Sequence, residues 1–167
     1  KVRLSTSMGP IVVELDAAKA PKTVANFVDY VKAGHYNGTV FHRVIDGFMI
    51  QGGGMDATLA EKPTRPPIPL ESGNGLSNLR GTVAMARTPA PDSATAQFFI
   101  NLKDNSFLDK ANARDGNGYA VFGKVVQGLD VVQKIGRVET TIVAGQPDVP
   151  AKPVVLKTAR RVSAAKK

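Results

Sequence analysis

The stretch "KVRLSTSMGPIVVELDAAKAPKTVANFVDYVKAG" (Lys1–Gly34) changes its hydrophobic period part way along. Val2, Leu4 and Thr6 alternate, Met8-Gly9-Pro10 supplies turn residues, and Ile11, Val13 and Leu15 alternate again, which predicts a β-hairpin. From Pro21 to Ala33 the spacing becomes i, i+3, i+4, i+7, through Val24, Phe27, Val28 and Val31. Pro21 suits a first helical turn and Gly34 a C-terminal cap, so this segment reads as a helix.

Strand-like runs follow at Thr39–Val44 and Phe48–Gln51, then a long turn-rich segment from Gly52 to Gly81. Four prolines between Pro63 and Pro69 forbid a helix and disfavour a central strand there. Strand patterns resume at Thr82–Ala86, Gln97–Asn101 and Ala120–Val126, followed by a short helix over Leu129–Ile135 and a last strand over Val154–Val162. Many short strands with two helices predict an all-β barrel or sandwich whose ends the helices cover, and a barrel is favoured because it removes exposed edges. Alternation points Phe98 and Ile100 to the core and Gln97 and Phe99 to an outer surface.

At 167 residues, 43% hydrophobic and 22% charged, the chain is one domain's worth of ordinary globular sequence. Its longest apolar run, around Phe98-Phe99-Ile100, is far short of the roughly 18 residues of a membrane-spanning helix. The net charge is +8, and five of those charges fall in the acid-free segment Lys157–Lys167. A basic terminus on a near-balanced body reads as solvated chain rather than a nucleic-acid reader. The absence of cysteine excludes disulfides, thiolate metal sites and cysteine nucleophiles. A first residue Lys1 in place of Met leans toward an exported, periplasmic protein, with the cytoplasm as the alternative.

Two histidines, His35 and His42, are too few for an imidazole zinc site, and neither Ser93 nor Ser106 has a nucleophile-elbow context. Gly52-Gly53-Gly54 lacks the Lys and Ser/Thr of a phosphate loop and reads as a tight turn after a strand; Gly73-Asn74-Gly75 and Gly116-Asn117-Gly118 also read as turns. What remains is an arginine, two amides and several large apolar residues: Arg43, Phe48, Met49, Gln51, Gln97, Phe99 and Phe107. Such a mixture suits an apolar pocket with a few directed polar groups. Each also has an ordinary role, as ion-pair partner, core packing or strand-end cap, and residue types alone leave both readings open.

Three strings go further. "FHRVIDGFMIQGG" (Phe41–Gly53), "RGTVAMARTPAPDSATAQFFIN" (Arg80–Asn101) and "GYAVFGKVVQGLDVV" (Gly118–Val132) closely resemble the cyclophilins, a family of peptidyl-prolyl cis-trans isomerases, in the bacterial branch. "APKTVANFVDYV" (Ala20–Val31) resembles the family's first helix. The resemblance implies a mainly β fold, a closed eight-stranded antiparallel β-barrel capped by two α-helices, as a single domain over residues 1–162 with a basic tail over 163–167. It places the catalytic arginine at Arg43 and the substrate groove at Phe48, Met49, Gln51, Ala86, Arg87, Gln97, Phe99, Phe107, Leu108 and Tyr119. Phe48, Met49, Phe99 and Leu108 would build the proline pocket.

It further implies a monomer without cofactor or metal that acts on proline-containing unfolded or partly folded proteins and peptides, with no nucleic-acid or membrane partner. Asp46 stands where the family commonly has proline, which questions the rigidity of that turn. Phe107 replaces a tryptophan that many eukaryotic members use to hold cyclosporin, so binding of cyclosporin-type cyclic peptides is expected to be weak. Tyr119 replaces a histidine and Arg87 an asparagine, changes at the groove rim. The competing classes are a non-catalytic proline-binding module, against which Arg43 argues, and nucleic-acid binding through the tail.

Overall fold

The computed structural model describes residues 1–114, 116–143 and 145–162. Strands β1 (Val2–Thr6) and β2 (Gly9–Leu15) form the expected hairpin, with Ser5 opposite Pro10 and Thr6 opposite Gly9. The turn is therefore Ser7-Met8, one step earlier than the glycine and proline suggested. Thr6 Oγ1 closes it by donating to the Gly9 carbonyl at 2.6 Å and accepting from the Met8 N–H at 3.1 Å. Helix α1 (Pro21–Lys32) starts on proline, and Gly34 follows it at φ +73°, where a β-carbon would strain the backbone. Its first turn has no local side-chain cap. The Glu71 carboxylate caps it from the proline-rich loop, accepting from the Lys22 N–H at 3.2 Å and the Thr23 N–H at 2.7 Å.

The remaining strands are β3 (Thr39–Val40), β4 (Arg43–Ile45), β5 (Met49–Gly52), β6 (Thr82–Met85), β7 (Phe98–Asn101), β8 (Val121–Gln127), β9 (Thr140–Val143), β10 (Gln146–Pro150) and β11 (Val155–Arg161), with α2 (Leu129–Gly136) after β8. Nine strands curl into one antiparallel sheet in the order β3-β11-β1-β2-β8-β6-β7-β5-β4. The expected closed eight-stranded barrel is thus a nine-stranded half-barrel whose ladder is open between β3 and β4. The predicted strand Thr39–Val44 breaks at Phe41-His42 because the backbone donors at that point go elsewhere. Val40 N–H bonds the Met55 carbonyl at 2.9 Å, and Phe41 N–H bonds that of Val154 at 3.0 Å.

The β9–β10 hairpin was not expected. Its first strand is exposed throughout and its second contains two prolines, so neither alternation nor composition announces it. Lys157, Arg160 and Arg161 of the basic segment belong to β11, all three exposed, while the tail over 163–167 lies outside the described residues.

Strand alternation divides the apolar side chains into two clusters. Leu4, Ile11, Phe27, Tyr36, Ile50, Phe98, Ile100, Phe122 and Leu156 fill the interior. Phe27 lies 5.6 Å edge-on from Phe98 and 5.1 Å from both Tyr36 and Phe122. Each such side chain stabilises by about 1.5–3 kcal/mol through burial. The intervening positions, Met49, Ala84, Phe99 and Val121, form a smaller cluster on the opposite face of the sheet. The outer surface assigned to Phe99 is therefore itself apolar, and it floors the site.

Candidate active site

Strand register assembles the site. Arg43 pairs with Gln51 across β4 and β5, Gln51 with Phe99 across β5 and β7, Phe99 with Ala84 across β7 and β6, and Ala84 with Val121 across β6 and β8. Neighbouring strands lie about 4.8 Å apart, so these five residues form one row across the outer face, cationic at one end and apolar at the other. Phe48 is delivered by the β4–β5 turn, where its N–H bonds the Ile45 carbonyl at 3.0 Å and Gly47 takes φ +75°. A glycine in the left-handed region shapes this turn, which is how it forms with Asp46 in place of proline.

Over this row lies a cleft of ≈ 120 Å³ lined by Arg43, Phe48, Met49, Gln51, Ala86, Arg87, Phe99, Leu108 and Tyr119. All nine were expected from sequence. Of the two other expected residues, Gln97 stands behind Gln51 and accepts a hydrogen bond from its Nε2 at 2.9 Å. Phe107 is at the rim, 54% exposed, stacked on Phe48 at 5.9 Å between ring centroids. A larger hollow of ≈ 700 Å³ beside β2 and β8 places its Lys124 3.9 Å from Glu14 and presents no guanidinium.

The two arginines of the cleft differ in what they have left to give. Arg87 donates through Nε and Nη2 to the Gly118 carbonyl at 3.1 and 2.6 Å and through Nη1 to that of Thr88 at 2.9 Å, with its guanidinium carbon 4.6 Å from the Tyr119 ring centroid. It is a fixed part of the wall. Arg43 makes one long contact, Nη1 to Gln51 Oε1 at 3.4 Å, and no other hydrogen bond of its guanidinium is formed among the described residues. It is exposed and lines the cleft beside the apolar floor of Met49 and Phe99.

A chain of amides joins the two walls. Asn105 Nδ2 donates to the Phe48 carbonyl at 2.9 Å and to Asn101 Oδ1 at 2.9 Å; Asn101 Nδ2 donates to Asn78 Oδ1 at 3.1 Å; Asn78 Nδ2 donates to Asp109 Oδ1 at 2.9 Å. Asp109 also accepts from the Ser77 hydroxyl and the Asn78 N–H, and it follows the 3₁₀ turn Ser106–Leu108 that carries Phe107 and Leu108. Burial pushes its carboxyl up, but these hydrogen bonds outweigh burial and hold it below the ordinary carboxylate value. Sequence reading did not find this chain, since three asparagines and an aspartate separated by up to 31 residues carry no motif.

The comparisons agree with the geometry. The profile of the family described as cyclophilin type peptidyl-prolyl cis-trans isomerase/CLD matches residues 1–161. The chain is 57% identical over 159 residues to peptidyl-prolyl cis-trans isomerase A of Dickeya dadantii, covering 95% of this chain and 83% of the relative. It is 52% identical over 158 residues to isomerase B of Escherichia coli, covering 94% and 96%. Among solved structures, a cyclophilin-type isomerase of Cryptosporidium parvum, crystallised in the presence of the dipeptide Ala-Pro, superposes with a TM-score of 0.79 at 25% identity, covering 97% of this chain and 98% of that one. With every described strand lying inside residues 1–161 that the family profile matches, and with relatives at 52% and 57% identity, this chain belongs to the cyclophilin-type peptidyl-prolyl cis-trans isomerases, enzymes that accelerate rotation about X-Pro peptide bonds and so assist protein folding.

Proposed function

We propose that the cleft over the Arg43–Val121 row is where the X-Pro bond turns, with Arg43 the catalytic residue and proline-containing unfolded or partly folded proteins the substrates. The observation that carries this reading is the contrast between the two guanidinium groups, Arg87 tied to two carbonyls and Arg43 held by one long contact beside the apolar floor.

Rotation about a peptide bond is opposed by a barrier of about 18–20 kcal/mol, because the nitrogen lone pair is delocalised into the carbonyl. An X-Pro bond therefore exchanges in tens to hundreds of seconds unaided. Nothing need be broken for it to turn. A proline ring seated against Phe48, Met49, Phe99 and Leu108 is held by apolar contact while the preceding carbonyl rotates. In the twisted state the nitrogen becomes pyramidal and its lone pair localises, turning it into a hydrogen-bond acceptor. An Arg43 N–H directed at that nitrogen binds the twisted state better than either planar one, which is the requirement for catalysis. The donor is permanently charged and its fork is rigid, so little reorganisation is needed as the bond twists. Weak binding of cyclosporin-type cyclic peptides follows from the same cleft, with Phe107 offering a partly exposed ring and no indole N–H at its rim.

The test is Arg43→Ala, with magnetisation-exchange NMR on an Ala-Pro peptide. Losing one preorganised donor should lower kcat/KM by about 10²- to 10³-fold, with the unfolding midpoint little changed because the side chain is exposed. Turnover at the wild-type rate in a folded variant would remove Arg43 from the mechanism.

A further inference from the structure

The three consecutive glycines after β5 back onto different things. A β-carbon on Gly52 would lie 2.8 Å from the Val40 carbonyl oxygen, and one on Gly53 would lie 2.8 Å from the Tyr36 ring and 3.0 Å from that of Phe98. Those neighbours are backbone and packed core. The three atoms nearest a β-carbon on Gly54 would instead all belong to the Gln97 side chain, at 2.5 Å for Cγ, 2.6 Å for Nε2 and 2.8 Å for Cδ. Gly54 is buried and, unlike Gly53 at φ +95°, has no positive φ. Its backbone φ would admit alanine, and the nearest obstacle is the Gln97 side chain.

We propose that Gly54 is a positioning residue for the reaction: its missing side chain is the cradle that presses Gln97 against Gln51. Gln97 Oε1 accepts from Gln51 Nε2 at 2.9 Å, and this fixes which way the Gln51 amide faces. With its nitrogen so engaged, Gln51 turns Oε1 to Arg43 Nη1 at 3.4 Å. The Gln97 backbone is held in turn, its carbonyl accepting from the Ala86 N–H at 3.0 Å. Without Gln97 in place, the Gln51 amide is free to turn over and present its NH₂ to the guanidinium, donor against donor, and Arg43 loses the acceptor that aims it. The inference rests on the reading of Arg43 given above.

Gly54→Ala, Gln97→Ala and the double variant test it, with kcat and KM for an X-Pro peptide and the ¹⁵N side-chain amide resonances of Gln51 as readouts. Gly54→Ala should lower kcat by about five- to tenfold, the worth of one oriented hydrogen bond, with KM little moved, and should shift the Gln51 resonances. Gln97→Ala should do the same. In the Gln97→Ala background, Gly54→Ala should cost nothing further, because the atoms it would strike are gone. Should Gly54→Ala alone not fold, a double variant that folds and turns over at the Gln97→Ala rate gives the same result.

Unshifted Gln51 resonances in folded Gly54→Ala, an unchanged kcat, or an equal loss in both backgrounds would overturn the proposal. So would a double variant that does not fold. Arg43→Ala measured alongside separates the two ideas: wild-type turnover there fails the arginine reading, while the Gln51 resonances still report on the cradle.

Discussion

At the scale of single residues, the site depends on which polar groups have been left without a protein partner. Arg43 and Arg87 are the same residue type on the same cleft, and sequence placed both there; only the carbonyls of Gly118 and Thr88 show that one is structural. His42, immediately before Arg43, is buried with its Nδ1 unbonded. Burial first, and the Arg43 charge second, lower its pKa from the ordinary histidine value. Burial also lowers that of His35, helped by Lys62 and opposed by the bond between its Nε2 and the Gly53 carbonyl. The fold therefore favours both imidazoles neutral. With folded values below the unfolded one of about 6.5, the unfolded chain binds more protons as acid is added. Their contribution to stability is full above about pH 6.5 and is lost as pH falls through the folded values. A ¹H NMR titration of the two Cε1–H signals should show both midpoints below about 6.5; a His42 midpoint at or above it would contradict its burial as described.

Elements whose burial pattern matches a single period were legible in the sequence. Phe27 and Val31 mark the inner face of α1, and alternation separates Phe98 and Ile100 from Phe99, correctly at all three positions. Legibility failed where an element is held by something distant or has no buried face. The cap of α1 comes from Glu71, about fifty positions on, and β9 has no buried side chain at all. The glycine run does bend the chain after β5, as read, but its close approach to Val40, Tyr36, Phe98 and Gln97 was not legible. The 3₁₀ turn bearing Phe107 and Leu108 belongs with these, since its anchor is Asp109. Asp109→Ala should cost about 1–3 kcal/mol of stability by leaving the Asn78 N–H without an acceptor and its amide with only the long contact to the Tyr119 carbonyl at 3.4 Å, read as a lower denaturant midpoint. It should also raise KM, as the Leu108 wall loosens from the Phe48 wall. Because the Asp109 carboxyl is held below an unfolded value of about 3.9, this anchoring is complete above about pH 4 and disappears as pH falls through the folded value. Leu108 methyl resonances that do not respond to such acidification would refute it.

At the scale of the whole molecule, barrel class was legible from strand count and turn chemistry, but strand order was not, since nothing local says that β11 lies between β1 and β3. That placement binds the two ends of the described chain together, Val2 opposite Arg161 and Leu4 opposite Ala159. In the order of the described strands β11 also stands between the hairpin and β3, with Val155 opposite Val40. A chain ending at Val154 should therefore lose cooperative unfolding by circular dichroism and lose isomerase activity with it; a sharp transition in that truncated chain would show the sheet to be less dependent on its last strand. The same pairing governs how the protein is made. At about 5–20 residues per second on a ribosome, β1 is synthesised on the order of ten seconds before its partner. During that time one edge of the first hairpin is open, and a lone hairpin is only marginally stable in water. An enzyme that assists the folding of other chains thus completes its own nine-stranded sheet only after β11 has been made.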